Sequence, residues 1–351
     1  RPSQAFNAYR HRFMRHPIYI HDNARVITLE REGYFGGRTE CFYIGKLPKD
    51  KYFKLDINSL YPFVMTQHDY PTKLCFHTQR ITLSRFKRFL DKYLVMARVV
   101  VNIKEPYIAK RINNRTCFPV GRFECVVCTE VLKRLVKDRT IIKVQEAAFY
   151  KGKRIFNEYI DFFNKLKEGY SRDGDKFGRR VSKYMMNTLY GKFGQRCEEV
   201  MHEEDSPLEK VESYGGRDLV SGKRYWVVVY GGRLTVTEKG EKNGYNTFVS
   251  IAAHVTENAR LLLWDSIKKA GVGSVFYCDT DSIFTNSEGF TRLGGEIHVS
   301  KLGCWKLEDK TFGVTIRGPK DYTFGDETHR KGIRKNAVKV ADNTFEQDKG
   351  R

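Results

Sequence analysis

The sequence predicts an α+β protein built around an antiparallel sheet, and three observations carry that prediction. Two apolar runs, Tyr52-Phe53-Lys54-Leu55 and Val275-Phe276-Tyr277, read as strands and lead into Asp56 and Asp279. Ser282-Ile283-Phe284 follows the second run closely enough to be its return strand, which makes that pair antiparallel. Between the two runs, apolar residues recur at helical spacing from Ile155 to Lys167, and a second, basic helix follows as far as Gly191. At 351 residues a sizeable core with one or two appended parts is expected. With 24 Phe and 20 Tyr the chain has the apolar area to fill that core, which argues against general disorder.

In chain order, residues 1–50 are basic and end in the glycine-rich turn Tyr34-Phe35-Gly36-Gly37-Arg38 before the first strand. Ser59 stands where it can cap a helix starting near Tyr61-Pro62, a position at which proline is tolerated. Residues 66–150 mix short β-branched runs, Val99-Val100-Val101 and Thr140 to Val144, with a basic helix around Glu130 to Lys137, and read as an α+β insertion. Phe156, Tyr159, Ile160, Phe163 and Leu166 define the first helix of the hairpin, and Gly169 to Asp175 supply its turn. Residues 196–247 are polar and glycine-bearing around the strand-like Tyr225 to Tyr230, a small β-rich excursion. Ala252 to Lys269 reads as a long apolar helix. There is no internal repeat and no low-complexity tract.

The charge is lopsided: 63 Lys and Arg against 42 Asp and Glu give +21, which favours a polyanionic partner such as nucleic acid over mere solubility. The eight cysteines lack the dense spacing of a disulfide scaffold, so a reducing compartment fits best. Cys125 and Cys128 form one Cys-x-x-Cys, but no second pair completes a zinc site. No run of about 18 uncharged apolar residues exists, so no membrane span is expected. The chain opens on Arg1 without a signal-type start, as a piece of a longer protein would.

Phosphoryl transfer onto a 3′ hydroxyl needs that hydroxyl's pKa lowered and the phosphate charge neutralised, work that two divalent ions held by carboxylates can do. In Tyr277-Cys278-Asp279-Thr280-Asp281-Ser282 a strand enters a tight turn, and the i, i+2 spacing brings two aspartates to its end. Asp-x-Asp alone is also compatible with a surface turn or with the nucleotide-sugar metal site of a glycosyltransferase. The apolar run before it favours a metal, because two buried unpaired carboxylates are costly. The second hairpin helix carries Lys176, Arg179, Arg180 and Lys183, continued by Asn187, Tyr190 and Gly191 at intervals of three or four. Carboxylates do not alternate with these cations as on a salt-bridged surface helix, so the stripe reads as a triphosphate-sized basic face.

Three segments in order, Asp56-Ile57-Asn58-Ser59-Leu60-Tyr61-Pro62, Lys183 to Gly191, and Tyr277 to Ser282, resemble motifs A, B and C of the family B DNA polymerases. Tyr34-Phe35-Gly36-Gly37 resembles the Tyr-x-Gly-Gly motif of the protein-primed branch, found in bacteriophages and linear plasmids. Lys320-Asp321-Tyr322 resembles its Lys-x-Tyr motif, and Lys301-Leu302-Gly303-Cys304-Trp305 also has that branch's look. The likeness spans Tyr34 to about Asn343. It implies a right-hand fold: an antiparallel palm sheet, two-helix fingers and two insertions.

Residue by residue, the resemblance makes Asp56 and Asp281 ligands of two magnesium ions, with Asp279 assisting, the Ile57 carbonyl contributing and manganese able to substitute. Tyr61 would exclude a 2′ hydroxyl, Lys183 would bind the triphosphate, and Asn187 and Tyr190 would line the nucleotide pocket. The family's second triphosphate lysine best matches Lys167, although the hairpin tip looks longer than usual. Tyr34, Gly36 and Gly37 would handle single-stranded template, and Lys320 and Tyr322 would steady the primer terminus. Thr188 replaces a commoner serine and keeps the hydroxyl.

The implied domains are 1–65, palm with motif A; 66–153, a first terminal-protein region; 154–195, fingers; 196–248, a second terminal-protein region; 249–325, palm with motif C; and 326–351, the start of a thumb. The implied partners are template-primer DNA, deoxynucleoside triphosphates and a terminal protein, with no membrane. The expected setting is a host cytoplasm, or a mitochondrion for a plasmid-encoded chain. Two departures stand out: the segment ahead of Tyr34 is too short for the family's exonuclease, and the chain stops at Arg351, soon after the thumb should begin. The expectation is therefore no proofreading and a weakened grip on duplex DNA. A non-catalytic nucleic-acid-binding remnant shares the charge, and metal-dependent primer extension separates the two readings.

Overall fold

The computed structural model describes residues 2–207, 211–220, 224–333, 337–341 and 344–346. A short strand, β1 (Thr39–Cys41), precedes β2 (Tyr52–Ile57), in which alternate side chains take opposite faces. Leu55 and Ile57 enter the main core, while Lys54 and Asp56 lie half-buried on the other face. Helix α1 (Leu60–Gln67) follows at once. Ser59 does occupy its cap position, but with φ 53° and no side-chain capping bond; the helix start is closed instead by Phe63 N–H donating to the Ser59 carbonyl at 3.0 Å. A non-glycine residue in this left-handed region is uncommon, and it turns the chain sharply beside Asp56.

The segment after α1 forms its own four-stranded antiparallel sheet, in the order Tyr70–Thr78, Ile141–Lys153, Leu94–Ile103, Gly121–Cys128. Leu83–Leu90 and Thr129–Lys137 are its helices. Cys125 and Cys128 are buried in its last strand, where burial raises both thiols, Cys125 to about 12. All eight cysteines are free.

Helices α2 (Asn157–Arg172) and α3 (Lys176–Phe193) make the hairpin. Its tip is shorter than the sequence suggested. Gly169 to Arg172 remain helical, and Asp175 starts α3 by accepting from Phe177 and Gly178 N–H, both at 2.9 Å. The strands Arg196–Asp205, Arg233–Asn243, Arg224–Tyr230 and Glu212–Arg217, in that order, form a second four-stranded antiparallel sheet. Helix α4 (Val249–Ala270) is buried along nearly all of its length.

The chain then returns to the central sheet as β3 (Val275–Asp279), β4 (Ser282–Asn286) and β5 (Trp305–Thr311). The sheet order is β1-β3-β4-β2-β5, with every neighbouring pair antiparallel. A smaller sheet of β6 (Val314–Gly318), β7 (Asp321–Phe324), Gly45–Lys46 and Glu327–His329 encloses a second core with Tyr52, Tyr277 and Phe284. This core covers part of the sheet face that carries Asp56, and the rest of that face stays open. Of residues 326–351, where the start of a thumb was expected, 334–336, 342–343 and 347–351 lie outside the described residues.

Two N-terminal helices, Pro2–Ala8 and Ala24–Gly33, were not foreseen: the first is only seven residues long, and Arg25 and Arg31 interrupt the apolar positions of the second. Phe6 and Tyr9 anchor the first against the hairpin, with ring centroids 5.4 Å from Phe193 and 5.8 Å from Tyr159. No helix among the described residues is long and apolar enough to cross a membrane.

Candidate active site

Thr280 and Asp281 connect β3 to β4 in a tight turn. Thr280 takes φ 61°, its N–H donating to the Arg38 carbonyl at 2.6 Å, and Asp281 N–H donates to the Asp279 carbonyl at 2.7 Å. Because β4 lies between β3 and β2, Ser282 stands opposite both Asp279 and Asp56. Ile57 N–H donates to the Asp281 carbonyl at 2.7 Å, which stitches the turn to the end of β2. Asp56 and Asp281 are thereby neighbours. Burial, then the Asp281 charge, pushes the Asp56 carboxyl up to about 7, with Lys183 and Lys306 opposing and Glu308 adding. Burial likewise raises Asp281, with Asp279 adding to the effect and Lys183 and Lys320 opposing it. Two crowded, desolvated carboxylates of this kind favour a proton or a cation between them, which suits a divalent ion.

Asp279 lies close by, but its oxygens are engaged elsewhere. Lys320 Nζ donates to them at 2.6 and 2.8 Å, and Thr39 Oγ1 donates to one at 2.8 Å. Lys320 has φ 61°, and its backbone N–H donates to the Tyr277 hydroxyl at 3.1 Å. Tyr322 is buried in the smaller core, its ring stacked on His329 at 5.3 Å. Asp56 and Asp281, expected as the ligands, are thus the adjoining pair, and Asp279, expected to assist, is an ion-paired neighbour; among the described residues no group of three or more His, Cys, Asp or Glu is arranged to hold a metal.

A cavity of about 480 Å³ opens over Asp56 and is lined by Lys167 from α2, by Arg179 and Lys183 from α3, and by Lys306 and Glu308 from β5. Burial lowers the Lys167 ammonium pKa. Lys176 and Arg180, which the sequence placed on the same basic stripe, do not line it. Asn187 and Tyr190 face a second cavity of about 1040 Å³, together with Tyr34, Arg31, Arg111, Lys192 and Arg196. The Tyr61 ring lies on Tyr190, with centroids 4.5 Å apart.

Residues 1–269 match the model of the family described as DNA polymerase type B, organellar and viral. The chain belongs to that family. It is 24% identical over 338 residues to a probable DNA polymerase of Neurospora intermedia, covering 92% of this chain and 33% of that protein. It is 28% identical over 329 residues to a DNA polymerase of Kluyveromyces lactis, covering 86% of this chain and 31% of that protein. It is also 25% identical to the DNA-directed DNA polymerase of Enterobacteria phage PRD1, covering 89% of this chain and 51% of that protein. The chain thus spans a third of the first two relatives and half of the third. Phi29 DNA polymerase, solved with primer-template DNA and incoming nucleotide substrates, shares the fold, with TM-score 0.66, 16% identity, and coverage of 95% of this chain and 60% of that one.

In this type B polymerase chain the Tyr34–Gly37 segment lies directly on the Thr280–Asp281 turn. A Cβ on Gly37 would come within 2.6 Å of Thr280 Oγ1, and one on Gly194 within 2.6 Å of the Tyr34 ring, so a larger residue at either position would push that side chain aside. Gly36 has open space where its side chain would be. Buried Arg260 of α4 holds the segment, donating from Nη1 to the Phe35 carbonyl at 2.9 Å and the Gly36 carbonyl at 2.8 Å. Glu257, 3.9 Å from Arg260, accepts from Cys128 N–H at 2.6 Å and so ties α4 to the first insertion.

The sequence reading missed Arg260, Glu257, Thr39 and Lys306. A charged pair at i, i+3 inside the apolar run from Ala252 to Lys269 was the available signal for the first two. Nothing in the sequence announced Thr39 or Lys306, whose positions depend on strand order. The Lys301–Trp305 segment also finds its place here: Asn58 N–H donates to the Cys304 carbonyl and Gly303 N–H to the Asn58 carbonyl, both at 2.9 Å, which fixes the end of motif A.

Proposed function

We propose that the chain carries the nucleotidyl-transfer centre of a DNA-directed DNA polymerase, adding deoxynucleotides to a 3′ hydroxyl under template direction. The observation that carries this reading is the meeting of Asp56 and Asp281, from distant parts of the sequence, beside a cavity lined by Lys167 and Lys183. Asp56, Asp281 and the Ile57 carbonyl would hold two divalent ions, magnesium or manganese, which lower the hydroxyl's pKa and neutralise phosphate charge. Lys167, Lys183 and Arg179 bind the triphosphate. Tyr61, resting on Tyr190, blocks a 2′ hydroxyl, and Asn187 and Tyr190 shape the space for the base pair. Tyr34, Gly36 and Gly37 guide the template, Gly36 leaving open the space where a side chain would stand. Lys320, held by Asp279, reaches the primer terminus, with Tyr322, packed on Tyr277, as support.

In domain language, the central sheet and α4 are the palm, α2 and α3 the fingers, and the sheets of 66–153 and 196–248 the terminal-protein regions, with priming by a terminal protein in the parent molecule. The +21 charge and the free thiols suit a nucleic-acid enzyme of a reducing compartment. Replacing Asp281 with Asn tests the centre. Primer extension falls by roughly a thousandfold or more, the loss expected when several kcal/mol of transition-state stabilisation is removed, while DNA binding holds within about twofold. Robust extension by the variant rejects the assignment.

A further inference from the structure

We infer that Lys306 is a further contact for the incoming nucleotide's triphosphate, exchanging its ion pair with Glu308 for the phosphates and remaining on the pyrophosphate as it leaves. The inference rests on the polymerase reading above. Lys306 stands directly opposite Asp56 in the β2–β5 register, and side chains of directly opposed residues share one face of a sheet, with Cβ atoms about 5 Å apart. Its ammonium therefore belongs to the face that carries Asp56, and the residue lines the same cavity as Lys167 and Lys183. A register shift between Leu307 and Asp309 leaves Glu308 as the extra residue of a bulge, which brings its carboxylate to the cavity beside Lys306.

Among the described residues no carboxylate ion-pairs with Lys167 or Lys183, whereas Lys306 Nζ lies 2.8 Å from Glu308. Both partners are more than a third exposed, at 35% and 39%, and an ion pair that open is weak. A triphosphate offers several phosphate oxygens to one ammonium, a stronger set of charge-assisted hydrogen bonds than a single solvated carboxylate. In the reaction the 3′ hydroxyl gives its proton to solvent water as its oxygen bonds to the α-phosphorus, the bond from that phosphorus to the bridging oxygen breaks, and the electron pair leaves with pyrophosphate. Negative charge grows on the leaving group, and Lys306 stabilises it by hydrogen bonding without giving up a proton. β5 is an edge strand, where lysine also discourages pairing with other chains, but a lysine serving only that purpose would leave the kinetics unchanged.

The test is single-nucleotide extension and its reversal by inorganic pyrophosphate, run with the wild type, Lys306→Gln and Lys306→Arg. Lys306→Gln raises KM for both the deoxynucleotide and pyrophosphate by about tenfold or more, with kcat changed far less and DNA affinity unmoved, and Lys306→Arg restores most of the loss. Unaltered KM values for both substrates in an active Lys306→Gln enzyme overturn the inference alone. Equal impairment of the Gln and Arg variants in every parameter, which marks a structural role, does the same. Failure of the wild-type chain to extend any primer overturns the polymerase reading and this inference together.

Discussion

Asp279 and Asp281 sit two positions apart and end in different surroundings. The left-handed Thr280 between them sends Asp281 towards Asp56, while Asp279 meets Lys320 and Thr39. On this account Asp279 acts through Lys320. In a double-mutant cycle on primer-extension rate, Asp279→Asn and Lys320→Ala each slow extension, and the double variant is little worse than the weaker single one, a coupling above about 1 kcal/mol. Additive losses would show that the two residues act independently. Tyr61 belongs to the same scale: its ring packs on Tyr190, and the steric role proposed for it predicts that Tyr61→Ala raises ribonucleotide insertion by about tenfold or more relative to deoxynucleotide insertion. Unchanged sugar discrimination rejects the steric role. The sequence made the identities of these residues legible, because motif spacing names them. It could not say which oxygen meets which cation, since Lys320 reaches Asp279 only through folding.

At the scale of elements, the helical hairpin, α4 and the strands flanking the aspartates were legible because periodic apolar residues report burial directly. What stayed hidden were polar groups buried for a structural purpose. His254 of α4 is one: Nδ1 lies 2.7 Å from the Ser250 carbonyl and Nε2 3.0 Å from Thr129 Oγ1, joining α4 to the first insertion. Burial lowers its pKa to about 4 from an ordinary 6.5. The folded state keeps the ring neutral while the unfolded chain takes up a proton below about 6.5. His254's contribution is therefore complete above that pH and is lost as the pH falls towards 4, by about 3 kcal/mol. Denaturant unfolding at pH 7 and pH 4.5 should show a smaller acid loss for His254→Gln than for the wild type. Identical losses contradict the buried neutral state. The N-terminal segment stayed hidden for another reason: Phe6 and Tyr9 are buried, but the helix Pro2–Ala8 is too short for a periodic pattern, and Arg10, His11 and Arg12 follow Tyr9 at once.

At the scale of the whole molecule, strand order turns separated motifs into one site. β2 pairs with β4 on one side and β5 on the other, so Asp56 gains Asp281 across one seam and Lys306 across the other. α4 then fixes the Tyr34–Gly37 segment over the same turn through Arg260. The order of the motifs was visible in the sequence, but this arrangement was not, because register is set by long-range pairing that no local pattern records. The most direct test of the central claim is single-nucleotide insertion opposite each of the four template bases, with and without magnesium, by the wild type and by Asp281→Asn. The account predicts that the wild type inserts the complementary deoxynucleotide in each case, only with the divalent ion, and that Asp281→Asn inserts none at a comparable rate. Insertion that ignores the template base, proceeds without a divalent ion, or survives in Asp281→Asn would contradict it.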